Sequence, residues 1–169
     1  MSALLAIAVF TGCSSPDSDA ADVPAGPPPS AGMTEDRSES ITTLPPVPVD
    51  QPSTLSNDLE VTAVGTEPLE LSANGPGEIG GSGLSVTLEF VNTGTTDISL
   101  DDLTVNAYYN EGLPASPGSA ETAAPVGGIL APGDRAQGVY LFQIPEDGLD
   151  STVFEVSHSD SENVIAVAR

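Results

Sequence analysis

Leu84-Ser85-Val86-Thr87-Leu88-Glu89-Phe90 sets four apolar side chains on one face of an extended chain and polar ones on the other. Alternation with period two marks a strand buried on one side and solvated on the other, and it fits no helix. The pattern recurs at 59–64, 98–100, 103–109, 138–144, 152–157 and 163–168. In 103–109 the apolar set is Leu103, Val105, Ala107 and Tyr109, so Tyr108 points the other way. Asn74-Gly75, Asn92-Thr93-Gly94, Pro117-Gly118 and Pro132-Gly133-Asp134 supply turns between the runs, the last suited to a type II turn. No window carries an apolar stripe of period 3.6. Seven short strands within residues 58–169 predict an all-β chain, an antiparallel two-sheet sandwich of Ig-like type. That length suffices for one core. One cysteine and no tryptophan leave out the disulfide and core indole of a true antibody domain.

Residues 14–57 read differently. They hold nine prolines and no aromatic residue, and their charges are mostly acidic. Such a stretch buries too little apolar surface to offset the entropy of ordering, which predicts a disordered tether over residues 13–57. As a flexible coil it would average roughly 40 Å end to end, and about 140 Å as full polyproline II. A proline-rich ligand for a partner domain is the sharper alternative.

The chain opens with an apolar run, Ala3 to Thr11, too short for a bilayer span of about 20 residues. Its length and small-residue ending suit a signal peptide over residues 1–12. No basic residue precedes Arg37, so the true start is expected upstream of Met1, or Met1 is not the start. Phe10-Thr11-Gly12-Cys13 resembles the lipobox of bacterial lipoproteins. The resemblance implies lipidation of Cys13, cleavage before it, and a membrane anchor on the extracytoplasmic face. Each buried acyl CH₂ contributes roughly 0.8 kcal/mol, so two or three chains hold where one does not. A secretory signal with an incidental cysteine, or a core helix, remains open at this point.

Charge and residue inventory exclude several chemistries. Twenty-five acidic residues face three arginines (Arg37, Arg135, Arg169) and no lysine, for a net charge of -22. Nucleic-acid affinity is built on basic contacts to phosphate, so nucleic acid is excluded as a partner. Gly75-Pro76-Gly77-Glu78-Ile79-Gly80 matches G-x-G-x-x-G only in letters. No strand-to-helix context surrounds it, Glu78 would repel phosphate, and Pro76 lacks an N–H. His158 is the only imidazole and shares a face with Phe154 and Val156 at a strand end. A triad drawn from it with Asp160 and a serine has no supporting context. Copper needs several soft ligands, which this chain lacks. Calcium stays open through Asp101, Asp102, Asp147 and Asp150, although none has EF-hand spacing. The strand carboxylates Glu60, Glu89 and Glu155 fall on polar faces rather than in a groove, against a glycosidase pair. The expectation is a protein without cofactor that is not an enzyme.

Two stretches resemble a family. Phe90-Val91-Asn92-Thr93-Gly94-Thr95-Thr96-Asp97-Ile98-Ser99-Leu100 looks like the strand–"N-x-G"–strand signature of Ig-like domains on Gram-positive surface lipoproteins. Gly128-Ile129-Leu130-Ala131-Pro132-Gly133-Asp134, leading into Val139 to Pro145, looks like the hairpin of the same family. That family is similar in architecture to the mycobacterial secreted immunoprotective antigen and carries no established catalytic residues. The resemblance therefore implies fold and address. On this reading the chain is a monomeric, lipid-anchored module that contacts an envelope protein, with Tyr108 as a candidate exposed anchor. The alternatives are a solute- or calcium-binding lipoprotein serving transport or envelope sensing, and a surface antigen with no ligand.

Overall fold

The computed structural model describes residues 41–73 and 80–169. Cys13, the opening run, the Asn74-Gly75 turn and the glycine-rich run as far as Ile79 lie outside the described residues. In chain order the strands are β1 (Thr42–Thr43), β2 (Val47–Pro48), β3 (Ser53–Thr54), β4 (Leu59–Leu71), β5 (Gly81–Asn92), β6 (Ile98–Ser99) and β7 (Leu103–Tyr109). They continue with β8 (Leu113–Pro114), β9 (Ser116–Pro117), β10 (Ile129–Leu130), β11 (Arg135–Gln143), β12 (Val153–His158) and β13 (Asn163–Ala168). Two 3-10 segments, Leu100–Asp102 and Glu146–Ser151, interrupt them. One sheet runs β1-β13-β12-β7-β8, with β2 also on β13, and the other runs β3-β4-β5-β11-β9; β6 and β10 form a small ribbon. All pairings are antiparallel except those of β1 and β2 with β13. The chain is an all-β, Ig-like two-sheet sandwich, and all seven strands predicted from alternation are present.

The core lies between the sheets. Leu84, Val86, Leu88 and Phe90 of β5 are fully buried, with Phe154 and Val156 of β12 and Ile165 and Val167 of β13 contributed from the facing sheet. Burying one such side chain contributes about 1.5–3 kcal/mol. Phe142 of β11 meets Phe154 across the sandwich with ring centroids 5.9 Å apart and tilted by 47°, a geometry that suits the ring quadrupoles. Strand β4 extends to Leu71, well past the alternating stretch read at 59–64. Its register against β5 slips between Ala63 and Gly65. Val64 is the extra residue of this bulge and is 40% exposed. After it the register changes parity, with Thr66 opposite Val86 and Pro68 opposite Leu84. A bulge of this kind destroys a period-two signal without ending the strand.

Two expectations are corrected. The predicted tether reached Asn57, but residues 41–57 are part of the sandwich. Thr42 N–H donates to Glu162 O at 3.1 Å and Leu44 N–H to Val164 O at 2.8 Å, along the β13 edge. The chain then turns through Asp50 (φ 69°) and joins the other sheet as β3 on β4. Leu44, Val47 and Val49 pack on the core, and Leu55 is 2% exposed. Prolines stop a central strand, but a two-residue edge addition uses few N–H groups and tolerates them. The folded part therefore begins upstream of Asp58. Pro117-Gly118, predicted as a turn, instead prolongs an edge strand: Gly118 N–H donates to Leu141 O at 2.7 Å.

Candidate functional site

The strand registers give the sandwich two ends. One is fixed by Asn92, the last residue of β5; the other holds the β7–β8 hairpin and the Glu146–Ser151 segment, which packs against β5 and β7.

At the first end the Asn92 side chain is fully buried. Its Nδ2 donates to Thr96 O and to Leu130 O, each at 2.8 Å, and its Oδ1 accepts from Gly94 N–H at 3.0 Å. Its main chain takes a bond from Gly133 N–H at 2.8 Å and gives one to Asp134 O at 3.1 Å. Gly133 stands at φ 80° and Asp134 N–H returns to Ala131 O at 3.0 Å, the type II turn read from Pro132-Gly133-Asp134. The two stretches that carried the family resemblance thus meet on one amide. The Asn92 amide is spent on backbone groups, and so is the Thr93 hydroxyl, which donates to Asp58 O at 2.7 Å.

His158 belongs to the same end. It is 5% exposed and shares its buried face with Phe154 and Val156 as the alternation required. Asp160 N–H donates to Nδ1 at 3.0 Å, so the ring proton sits on Nε2, which donates to Ser99 O at 2.8 Å. Both nitrogens are engaged by backbone, and neither is bonded to a serine hydroxyl or a carboxylate.

The four acidic calcium candidates do not converge. Asp101 and Asp102 lie in the 3-10 turn beside β6, where Asp101 Oδ1 accepts from Gly128 N–H at 2.9 Å. Asp147 and Asp150 lie at the far end, and Asp150 pairs with Arg169 at 3.2 Å. Among the described residues no three His, Cys, Asp or Glu side chains group as a metal site.

The second end is built around the hairpin. Asn110, Glu111 and Gly112 connect β7 to β8 with φ of 41°, 64° and 100°. Two successive non-glycine residues in the left-handed region cost of order 1–2 kcal/mol each. Contacts from the Glu146–Ser151 segment hold them there. Ser151 Oγ accepts from Asn110 N–H at 3.0 Å and has Asn110 Oδ1 at 2.8 Å and Gly148 O at 3.0 Å within reach of its own proton. Tyr109 lies so close over Gly148 that a Cβ there would come within 2.6 Å of Tyr109 Cδ2. The tip is braced from below.

A hollow flanks the hairpin on each side. On the solvent face of its sheet a cleft of about 440 Å³ is lined by Tyr108, Glu111, Gly112, Ser151, Val153 and Glu155. Tyr108 is partly buried and pairs in register with Val153. Beyond the tip Leu113 stands 53% exposed. The outward residues of β7, β12 and β13 include one charge, Glu155, although the chain carries -22. Sequence reasoning singled out Tyr108 but missed Glu111, Ser151 and Val153. Positive φ at Asn110 and Glu111 has only the Asn-x-Gly spelling of the hairpin as a signal, and contact with Ser151 spans 41 residues.

No protein-family model matches the chain, and no curated protein matches it either. Solved structures do. YjhA of Bacillus subtilis superposes with a TM-score of 0.58 at 13% identity, over 70% of this chain and 97% of that one. YcdA of Bacillus subtilis, a candidate lipoprotein, gives 0.51 at 14% identity, over 70% of this chain and 38% of that one. The secreted protein MPT63 of Mycobacterium tuberculosis gives 0.49 at 11% identity, over 74% and 98%, too low to carry an argument. Identities this low establish the β-sandwich fold alone.

Proposed function

We propose that the protein is a non-catalytic interaction module held at the extracytoplasmic face of a cell membrane by lipid on Cys13, and that the Tyr108 end makes its contact. The observation that carries the reading is the contrast between a hairpin braced in a strained conformation beside a partly buried tyrosine and the other end, where the notable polar side chains are consumed by backbone. Strain held in place by surrounding contacts clusters at binding sites. Tyrosine is among the residues that anchor interfaces, because it offers a large rigid surface and one polar tip. His158, the one imidazole, is occupied by Ser99 and Asp160. The membrane address draws support from the lipobox resemblance at Phe10-Thr11-Gly12-Cys13 and from the likeness in fold to a candidate lipoprotein.

The test is photo-crosslinking in cells from a reactive residue placed at Leu113, beside one placed at Asp134 on the opposite end, followed by mass spectrometry. A single partner captured from position 113 and not from 134, and lost in Cys13→Ser, supports the reading. Capture from 134 alone overturns the choice of end, and membrane retention of the Cys13→Ser protein overturns the anchor.

A further inference from the structure

Resting on that reading, we infer that the Tyr108 cleft takes a side-chain cation, lysine or arginine, presented by a basic segment of the partner protein. The argument starts from the counter-ions. Among the described residues the cations are Arg135 and Arg169, and each already faces a carboxylate: Arg135 lies 3.8 Å from Glu89 and Arg169 lies 3.2 Å from Asp150. Glu111 and Glu155 line the cleft on either side of the tyrosine and have no such partner. Glu111 stands at the rim on the left-handed backbone of the hairpin, and Glu155 lies on β12, opposite Asn106 in register.

An aromatic face with flanking carboxylates attracts an ammonium or guanidinium in two ways, through the ring quadrupole and through charge. Val153 and the ring give the apolar wall on which the methylene stem of such a side chain lies. A metal ion fits less well, since the cleft offers two carboxylates and among the described residues no group of three metal-ligating side chains occurs. An anionic or phosphorylated segment is opposed both by these two groups and by the field of a chain at -22. The uncharged strand surface around the cleft localises the attraction at Glu111 and Glu155 instead of spreading it.

The test measures binding of a peptide of alternating lysine and glycine to the full chain, against the same peptide with every lysine acetylated. It is run at moderate ionic strength, so that diffuse attraction to the whole surface is screened. Expected are loss of binding on acetylation and weakening by about fivefold in Tyr108→Leu, the scale of one exposed cation–π contact. The double variant Glu111→Gln/Glu155→Gln is expected to weaken binding by a similar factor, and Glu60→Gln/Glu67→Gln on β4, which removes the same charge, to leave it within twofold. Equal weakening by both double variants overturns the inference, as does binding that survives acetylation. In the crosslinking experiment a partner whose contact segment holds no lysine or arginine overturns this inference and leaves the module reading standing. The absence of any partner at position 113 overturns the module reading itself.

Discussion

At the Asn92 end one buried amide serves three backbone groups and two further main-chain bonds close around it, whereas at the Tyr108 end the backbone is strained and Glu111 and Leu113 stand exposed beside a partly buried tyrosine. Both ends close the same pair of sheets. The difference shows that a sandwich does not need both ends satisfied to the same degree. Five hydrogen bonds at Asn92 lock strand to turn, and a few brace contacts from Gly148 and Ser151 suffice to hold the hairpin.

The sharpest way to break this comparison is Asn92→Ala. It strands Leu130 O in the core and takes a partner from Thr96 O and Gly94 N–H nearer the surface, and it is expected to cost about 3 kcal/mol in chemical denaturation. A cost below about 1 kcal/mol, the net contribution of one ordinary hydrogen bond, would mean that the end is not the clasp described. Next in size is Gly148→Ala at the other end. The new Cβ overlaps Tyr109, and the expected destabilisation is about 2 kcal/mol. Its signature is local, with faster amide exchange at residues 109–113 than at residues 92–96, because the brace is lost while the clasp remains. Uniform acceleration would merge the two ends into one unit.

A smaller effect has the opposite sign. Glu111→Gly relieves a left-handed residue but adds entropy to the unfolded chain, for a net gain of about 0.5 kcal/mol. Glu111→Gln keeps the strain and is expected to leave the melting midpoint unchanged. A variant that stabilises the fold while weakening the cleft's hold on a lysine peptide would tie the strain to recognition. A destabilised Glu111→Gly protein would show that the glutamate side chain supports the tip.

The smallest effect is a pH dependence confined to the alkaline range, and it belongs to Tyr140, midway along β11. Burial pushes its phenol above the ordinary tyrosine value, while a backbone hydrogen bond with Val126 acts the other way. The neutral form is therefore favoured in the folded state. Its contribution is fully present below about pH 10, the unfolded value, and is lost as pH rises through the raised one. Unfolding midpoints of the wild-type chain are expected to fall over that alkaline window more than those of Tyr140→Phe. Identical pH profiles would show that the ring is solvated in solution.

Much of the fold was legible in local pattern. Alternation at 84–90 and 103–109 gave strand, face and core together, because side-chain period is a backbone property that needs no partner. Pro132-Gly133-Asp134 declared its turn through Gly133, which can adopt φ 80° at no steric cost. The N-terminal segment was not legible. Leu44, Val47, Val49 and Leu55 are too sparse among prolines to show a period, and they are ordered only by the edges of β13 and β4. The candidate site was half legible. Tyr108 followed from parity, but the rest of the cleft comes from residues 111–112 and 151–155, which local spacing does not join.

The sequence by itself determined the seven strands that alternate and the faces of those runs, the turn at Gly133, the net charge of -22, and the lipobox-like placement of the sole cysteine. Each follows from interactions within a few residues or from counting. Tertiary structure alone decided that residues 41–57 stitch both sheets, that Asn92 gathers both family-like stretches, and that His158 is a backbone clamp. It also decided that Glu111 and Glu155 line one cleft with Tyr108. Those outcomes depend on contacts between residues tens of positions apart, whose free energy exists only once the core has brought the strands together.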